Sequence, residues 1–483
     1  MAVLQGLQPE RVFHFFEEIT KIPHGSGNTK EISDFLVNFA KERNLEYRQD
    51  ENNNVIIRKS ATLGYEDAPT VILQGHCDMV AEKTPESNHD FHKDPLKLKI
   101  VGDYITAEDT TLGGDDGIAV AFMMAVLDDN TLKHPAIEAL ITTDEEIGLL
   151  GAAALDCSDL KGKYFINMDS EEEGYLWISC AGGLTAITEI PVRYEQRSGA
   201  QYEISISGLL GGHSGVEIDK NRANSNILMG RLIYSLSQEL DYSIAELEGG
   251  LKDNAIPRST SMVIVADGSA EETLQSFAEK MTEDLRKEYS GTDGDITVAF
   301  RKCGEGELAV LDAVSKEKVC FFLMNVPNGI QKMSGEIEGL VETSTNLGII
   351  KLGPSVLYGS SSVRSSVGSG KDALTDRIRY VTEFLGGEFT PQGAYPAWEY
   401  KKDSRLRDLM VEVYEKQFGE KPEVKAIHAG LECGLFYGKM PELDCVSFGP
   451  TMHNVHTTEE ELSISSVQRM YAYLVNVLES IHN

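Results

Sequence analysis

Short apolar runs, each followed at once by polar and acidic residues, are the clearest pattern along this chain. The run over 71–75 leads into His76-Cys77-Asp78, the run over 136–143 leads into three acids, and the run over 164–168 leads into another acidic cluster. Short, mainly apolar runs of this kind are typical of strands buried in a parallel sheet. The pattern therefore predicts three such strands with polar side chains at their carboxyl ends.

Between these runs, apolar residues recur every three or four positions, which predicts helices. Strands alternating with helices indicate an α/β domain whose chemistry lies at the carboxyl ends of its strands. The same alternation returns from about Trp398, and we predict an amphipathic helix over 461–481 at the end of the chain. The other elements predicted for the α/β parts are helices over 9–20, 118–127, 404–418 and 431–437 and strands over 45–48, 55–58, 424–428 and 445–448.

From about Leu184 polar and apolar residues alternate, which favours sheets with one solvated face. Two stretches share an order of elements, and the second begins with a predicted strand over 319–324. We predict a catalytic α/β domain built from residues 1–185 and 398–483. An inserted α+β domain over 186–397 interrupts it, and two duplicated halves over 186–303 and 304–397 are compatible with the element order.

Composition narrows the class of protein. The 483 residues carry a formal net charge of −33, which argues against nucleic acid or an anionic membrane as the partner. Seven cysteines without a Cys-x-x-Cys pair predict reduced thiols in a cytosolic protein. The first ten residues lack the pattern of a secretory leader, and no run reaches the ~18 apolar residues of a membrane span. We expect a soluble cytoplasmic protein.

Metal-capable side chains follow the predicted strands or turns at five places: His76, Asp115, Glu145 with Glu146, Asp169, and His456. Two histidines with several carboxylates suit Zn²⁺, Mn²⁺ or Co²⁺. A carboxylate shared by two ions makes a two-metal site, which can polarise a carbonyl and generate hydroxide near neutral pH. In the adjacent Glu pair, one residue can bind metal while the other serves as a general base.

Each cluster also has an ordinary structural interpretation. Asp115-Asp116-Gly117 suits a turn and helix cap, and Asp144-Glu145-Glu146 suits the solvated start of a helix. The acidic run after Asp169 suits an exposed surface, and His453 and His456 suit an ordinary loop. The spacing of these residues alone leaves both interpretations open.

The motifs together resemble those of the M20 metallopeptidases, and within them most closely the aminoacyl-histidine dipeptidases, or cytosol non-specific dipeptidases. The likeness covers nearly the whole chain in order. Its motifs are His76-Cys77-Asp78-Met79-Val80, Thr110-Thr111-Leu112-Gly113-Gly114-Asp115-Asp116-Gly117-Ile118, Thr143-Asp144-Glu145-Glu146-Ile147-Gly148, Asn167-Met168-Asp169-Ser170-Glu171-Glu172-Glu173-Gly174, Ser179-Cys180-Ala181-Gly182-Gly183, Gly211-Gly212-His213-Ser214-Gly215 and Phe448-Gly449-Pro450 followed by His456.

The resemblance implies a role for each matching position. Two metal ions, most readily Zn²⁺, would be bound, with Co²⁺ or Mn²⁺ as alternatives. Asp115 would bridge them, Asp78 would orient a ligating imidazole, and Glu145 would be the general base, with an acidic neighbour at Asp144 that leaves a second candidate. The Asp115–Asp116 peptide is expected to be cis. The remaining ligands would be His76 and Asp169 for one ion and Glu146 and His456 for the other, with His453 set aside because of its distance from Gly449-Pro450.

The inserted region resembles the lid domain of that family. His213 is the candidate for stabilising the oxyanion, Asn254 and Asn346 for contacting substrate, and Arg364 for pairing its free carboxylate, with a surface arginine as the competing interpretation.

The resemblance implies a phosphorylase/hydrolase-like mixed-sheet catalytic domain and a metallo-dipeptidase. It would cleave unblocked dipeptides, including Xaa-His and β-alanyl-histidine, as a monomer or homodimer. Two alternatives stay open: an amidohydrolase of the same family acting on N-acyl amino acids or tripeptides, and a non-catalytic binding protein.

Overall fold

The structure is a computed structural model, and it describes residues 2–482. The helices are α1 Glu10–Ile19, α2 Lys30–Glu42, α3 Gly114–Asp128, α4 Leu150–Ala154, α5 Ser225–Leu236, α6 Glu271–Glu288, α7 Ala313–Asn325, α8 Gly368–Phe384, α9 Arg405–Phe418, α10 Glu432–Lys439 and α11 Ile464–Ser480. The strands are β1 Glu46–Gln49, β2 Val55–Lys59, β3 Val71–His76, β4 Leu98–Val101, β5 Tyr104–Ala107, β6 Ile137–Thr142, β7 Tyr164–Asn167, β8 Tyr175–Cys180, β9 Gly182–Pro191, β10 Tyr194–Ser207, β11 Gly212–His213, β12 Tyr242–Gly249, β13 Ala255–Ile256, β14 Thr260–Ala266, β15 Thr297–Leu311, β16 Gly329–Met333, β17 Val341–Leu352, β18 Val356–Ser365, β19 Glu388–Tyr395, β20 Glu423–Ile427, β21 Asp444–Ser447, β22 Met452–His453 and β23 Glu461–Ser463.

The chain forms two compact units. Unit 1 comprises residues 2–179, 400–426 and 431–482, and unit 2 comprises residues 180–399 and 427–430. Along the sequence, unit 2 therefore lies between parts of unit 1. The domain limits and the duplication that we predict from the sequence remain predictions.

An eight-stranded mixed sheet forms the centre of unit 1, in the order β1-β2-β6-β3-β7-β21-β8-β20. The middle strands β6, β3, β7 and β21 are parallel to one another. Every residue of β3 and of β6 is buried, as expected of parallel strands covered on both faces. The carboxyl ends of these four strands therefore lie along one edge of the sheet. A second, four-stranded sheet has the order β22-β23-β5-β4.

Helix α3 is the buried helix of unit 1. All of its residues from Gly114 to Leu127 are buried, and apolar residues surround its axis, as in helices packed on every side. It packs on β3 and α1. A Cβ atom at Gly75 would lie 2.4 Å from the Asp116 carboxylate and 2.7 Å from Ala119 Cβ, so the close approach of α3 to β3 requires glycine at this position.

Unit 2 is built on an antiparallel sheet in the order β15-β10-β14-β12-β17-β18-β9-β19, with β16 paired to β17. Helices α5, α6, α7 and α8 pack on its strands, and the core between them is formed by apolar residues such as Ile204, Leu232 and Phe322. Strands β11 and β13 form a separate two-stranded ladder.

The predicted α/β class is confirmed, and two local predictions are wrong. The apolar run over 319–324 lies in helix α7 rather than in a strand. Burial in this segment follows the spacing of a helix: Val319, Phe322 and Leu323 lie on the buried face, and Phe321 is 42% exposed. Asp312 caps this helix by accepting the backbone N–H of Ser315 at 2.7 Å.

The closing helix begins later than predicted. Glu461–Ser463 forms strand β23, which pairs with β22 and β5. Helix α11 starts after it at Ile464, and the hydroxyl of Ser463 accepts the backbone N–H of Ser466 as its cap. None of the helices within residues 2–482 has the length and apolarity needed to cross a membrane.

Candidate metal centre and active site

Strand β3 ends at His76, whose ring is held by the residue two positions further on. His76 Nδ1 lies 3.0 Å from the carbonyl oxygen of Asp78 and 3.4 Å from its carboxylate. The Asp78 carboxylate in turn accepts the hydroxyl of Ser26 at 2.7 Å and the backbone N–H of Glu145 at 3.1 Å. These contacts fix the imidazole with Nε2 directed away from Asp78, as second-sphere carboxylates do for metal-binding histidines.

Asp115 lies between two imidazoles. Its Oδ1 is 3.0 Å from Nε2 of His76, and its Oδ2 is 3.1 Å from Nε2 of His456. The residue is 8% exposed, and the Asp115–Asp116 peptide is cis, as the resemblance implied. The two oxygens of one carboxylate thus face two different histidines.

The other predicted ligands lie in the same cluster. Nε2 of His456 is 3.1 Å from Glu146 Oε2, and Nε2 of His76 is 3.8 Å from Asp169 Oδ1. Three sets of side chains present ligand atoms within 4.8 Å of one another. These sets are His76 with Asp116 and Asp169, His76 with Glu145 and Glu146, and Asp115 with Glu146 and His456.

Asp116 is a member of this cluster that the sequence did not predict. Its Oδ2 accepts the backbone N–H of His76 at 3.2 Å, and its buried Oδ1 has no hydrogen-bond partner among residues 2–482. The adjacent Asp-Asp pair was the available signal, but it does not distinguish which carboxylate faces the histidines.

Burial and hydrogen bonding shift the pKa values of several groups in the cluster. Burial raises the pKa of Asp169 well above its usual value, and nearby Asp116 adds to this effect. Hydrogen bonds to Asp115 and Glu146 raise the pKa of His456 to about 11, although burial opposes this. Burial also raises the pKa of Glu145 to about 8; the His76 charge opposes the shift, and the charge of Glu432 favours it.

This donor set fits divalent cations. Two imidazole nitrogens and several carboxylate oxygens are the ligands that Zn²⁺ and related ions prefer. The buried Oε1 of Glu146 has no hydrogen-bond partner within the described chain, so it is available as a ligand atom. Two cations would compensate the negative charge of these buried carboxylates.

Asp144 and His453, the neighbours that complicated the prediction, make other contacts. Asp144 Oδ1 accepts the backbone N–H of Gly27 at 2.7 Å. His453 is exposed and pairs with Glu461 in the ladder of β22 and β23. Neither residue belongs to the three sets of ligand atoms.

In unit 2, His213 is held in a single tautomer. Its Nδ1 accepts the backbone N–H groups of Gly215 and Val216, both at 3.1 Å. A nitrogen that accepts cannot carry the proton, so Nε2–H is the donor of this ring. Burial, followed by the charge of Arg364, lowers the pKa of His213. The residue is therefore a neutral hydrogen-bond donor through Nε2.

Asn254 and Asn346 lie close to His213 in the same unit. His213 pairs with Ala255 in the ladder of β11 and β13, and Asn254 is the exposed residue just before it. Asn346 is 1% exposed, and its amide donates to the carbonyl oxygens of Asp253 and Ala255 at 2.9 Å each. Asn346 thus supports the segment that carries Asn254.

Arg364 has a buried neighbour that the sequence gave no reason to select. The Nε2 of His428 lies 2.7 Å from the hydroxyl of Ser344, and Ser344 is the cross-strand partner of Arg364. Burial, and then the charge of Arg364, lower the pKa of His428 to about 3. Nδ1 of His428 and Nε of Arg364 are both buried without a hydrogen-bond partner in the part of the chain that the structure describes.

The comparisons identify the family. Residues 72–480 match peptidase family M20/M25/M40, and the chain belongs to this family. It is therefore a peptide hydrolase. The predicted family and the predicted hydrolase class are confirmed.

Two full-length relatives are similar to this chain. The cytosol non-specific dipeptidase of Escherichia coli (strain K12) is 34% identical over 483 residues, which cover 100% of this chain and 99% of that protein. The crystal structure of the aminoacylhistidine dipeptidase from Vibrio alginolyticus has a TM-score of 0.94 and 36% identity, covering 99% of this chain and 98% of that one. Aminopeptidase PepT from Bacillus cereus ATCC 10987 shares the fold, with a TM-score of 0.55 and 17% identity over 98% of this chain and 99% of that one.

Proposed function

We propose that this protein is a two-metal dipeptidase that cleaves unblocked dipeptides, including Xaa-His and β-alanyl-histidine. The observation that carries the proposal is the position of Asp115, whose two carboxylate oxygens each face a different histidine. One carboxylate shared in this way suits a bridging ligand. The names of the two full-length relatives support the choice of dipeptides as substrates.

The ligands divide between two ions, most readily Zn²⁺, with Co²⁺ or Mn²⁺ as alternatives. His76 and Asp169 would hold one ion, Glu146 and His456 the other, and Asp115 both. Such ions polarise a carbonyl and lower the pKa of water. Asp78 keeps the ring of His76 in place through the contacts described above.

Glu145 acts as the general base. It lies beside Glu146 in the cluster, and its backbone N–H is held by Asp78 at 3.1 Å. Glu145 takes a proton from the attacking water and then delivers it to the leaving amine. A carboxylate suits both steps, because it accepts the proton in its ionised form and releases it as the carboxylic acid.

The residues of unit 2 bind substrate. His213 donates its Nε2–H to the oxyanion, and Asn254 contacts the substrate from the segment that Asn346 supports. Arg364 pairs the free carboxylate of the dipeptide. In the tautomer in which Nε2 of His428 accepts the hydroxyl of Ser344, Nδ1 carries the proton and is a second donor for that carboxylate.

A small panel of substrates tests the proposal, with protein stripped of metal and reloaded with Zn²⁺. We expect zinc-dependent cleavage of alanyl-histidine and β-alanyl-histidine and no cleavage of N-acetyl-alanine. A dipeptide whose C-terminal carboxylate is replaced by an amide should have a kcat/KM about 10–100-fold lower than the free acid, because the neutral amide cannot form a charged pair with Arg364. Arg364→Gln should remove this preference.

The other outcomes separate the alternatives. Cleavage of only the acetylated amino acid, or of tripeptides in preference to dipeptides, would replace the dipeptidase by the related amidohydrolase. If no substrate reacts while two ions are bound, a binding protein becomes the better description. We also propose a cytoplasmic location and a monomer or homodimer; the name of the Escherichia coli relative supports the location, and light scattering measures the oligomeric state.

Replacement of the oxyanion donor should affect turnover more than binding. We expect His213→Ala to lower kcat about 10²–10³-fold, because a preorganised donor acts mainly on the transition state. KM and the zinc content should change little. His453→Ala, which removes an exposed histidine from unit 1, is the control and should keep wild-type kcat. A rise in KM without a fall in kcat would assign His213 to substrate binding instead.

A further inference from the structure

The start of helix α3 is held by a carboxylate from a distant part of the chain. Helix N-termini present backbone N–H groups that need acceptors, and the N-cap residue here is Gly113, which has no side chain. The carboxylate of Glu460 supplies the missing acceptors. Its Oε2 accepts from Leu112 at 2.8 Å and Gly113 at 3.2 Å, and its Oε1 accepts from Gly114 at 2.8 Å and Asp115 at 3.4 Å.

We infer that Glu460 is a positioning residue for the bridging carboxylate of Asp115. The inference rests on the proposed two-metal function, in which Asp115 must present one oxygen to each ion. Of the two hydrogen bonds that Oε1 accepts, the one from the backbone N–H of Gly114 is short and the one from Asp115 is long. Glu460 therefore fixes Asp115 chiefly through the peptide that precedes it.

The same short loop holds Asp115 at its other end. His456 lies four residues before Glu460, and its Nε2 is 3.1 Å from Asp115 Oδ2. The loop is closed by its own hydrogen bonds, from the Thr457 hydroxyl to the carbonyl of Asn454 at 2.7 Å and from the backbone N–H of Glu460 to the carbonyl of Thr457 at 3.2 Å. One loop thus supplies both a ligand and the group that places the bridging ligand.

The position requires a carboxylate. Glu460 is 3% exposed, so water cannot replace the acceptors that it supplies. A carboxylate accepts through both oxygens, whereas the amide of glutamine would direct N–H donors at one pair of backbone N–H groups. The negative charge also suits the N-terminus of a helix. A glutamine here would loosen the peptide before Asp115 without removing any metal ligand.

Metal binding by Glu460→Gln tests the inference. Glu459→Gln is the matched control, because it removes the same charge from an exposed neighbour in the loop. Each zinc-loaded protein is dialysed against a series of buffered Zn²⁺ concentrations, and bound zinc per chain is measured by mass spectrometry, with kcat and KM at each concentration. Loss of a residue that orients a metal ligand typically lowers metal affinity about 10–100-fold. We expect Glu460→Gln to need that much more Zn²⁺ for half-occupancy, with kcat recovering at saturating zinc and KM unchanged.

Wild-type zinc occupancy in Glu460→Gln would overturn the inference. A lower unfolding temperature of the variant would not rescue it, because loss of a residue with only a structural role also lowers the unfolding temperature. If wild-type protein itself binds no zinc, the two-metal proposal fails instead. Gly114→Ala is a second variant for the case in which Glu460→Gln does not fold. Its Cβ would lie 3.2 Å from Glu460 Oε1 and equally close to Met452 Sδ, so it should shift the Glu460 carboxylate by a few tenths of an ångström and weaken zinc binding in the same direction; unchanged binding would also overturn the inference.

Discussion

Asp115→Ala should release zinc and abolish dipeptide hydrolysis. Asp115 is the side chain placed between His76 and His456, so in the proposed two-metal site its loss removes one ligand from each ion. Because metal ions stabilise the transition state by several kcal/mol, and about 1.4 kcal/mol corresponds to a tenfold rate, we expect activity to fall by at least about 10³-fold. Zinc content after dialysis and kcat with saturating zinc measure the two effects.

Asp116→Asn is the informative control for this experiment. Asp116 joins His76 and Asp169 in one set of ligand atoms, but its Oδ2 accepts the backbone N–H of His76. A positioning role predicts that Asp116→Asn retains two zinc ions and more activity than Asp115→Ala. If Asp116→Asn loses both ions while Asp115→Ala keeps them, Asp116 is the bridging ligand and the assignment above is wrong.

The centre of unit 1 could be predicted from the sequence because burial leaves a simple pattern there. Strands β3 and β6 are buried on both faces, and their mainly apolar sequences indicate this, although Gln74 and Glu138 interrupt them. The same rule failed at residues 319–324. There the run lies in helix α7, and its apolar residues Phe321 and Met324 are on the solvent side, 42% and 45% exposed. Apolar residues on both faces of the helix make the run continuous, and the pattern alone does not distinguish an exposed apolar residue from a buried one.

The candidate ligands were accessible to prediction for a related reason. His76 ends β3, Asp169 follows β7 by two residues, and Glu145 and Glu146 follow β6 closely, so local position along parallel strands was enough to bring them to one edge. Glu460, which acts across a long distance in sequence, was missed. Glu460 binds Leu112 over 348 positions, and nothing near either residue signals the contact.

A buried network beneath the ligands shows the same limit. The Glu432 carboxylate accepts the hydroxyl of Thr142 at 2.7 Å and a hydrogen bond from the side-chain amide of Gln74, which in turn accepts from Asn167 at 2.6 Å. These residues join helix α10 to the ends of β6, β3 and β7. Glu432 is 0% exposed, and such a group is stable only because its partners are present. A single glutamate in an apolar segment does not reveal those partners in the sequence.

Glu145→Gln should keep its metal ions and lose turnover. Glutamine preserves the size of the side chain and the backbone contact with Asp78, but it cannot accept the proton of water, and general acid–base catalysis typically contributes about 10²–10⁴-fold. We therefore expect kcat to fall by that factor with wild-type zinc content.

Two neighbouring variants complete this test, because three adjacent acids could in principle exchange roles. Glu146→Gln should lose zinc, since Glu146 lies 3.1 Å from His456 in the ligand cluster. Asp144→Asn should stay within a few-fold of wild type, because Asp144 binds the backbone of Gly27 instead. Retained turnover in Glu145→Gln together with lost turnover in Asp144→Asn would make Asp144 the base. Loss of zinc from Glu145→Gln would instead make Glu145 a ligand, as its place beside His76 and Glu146 also permits.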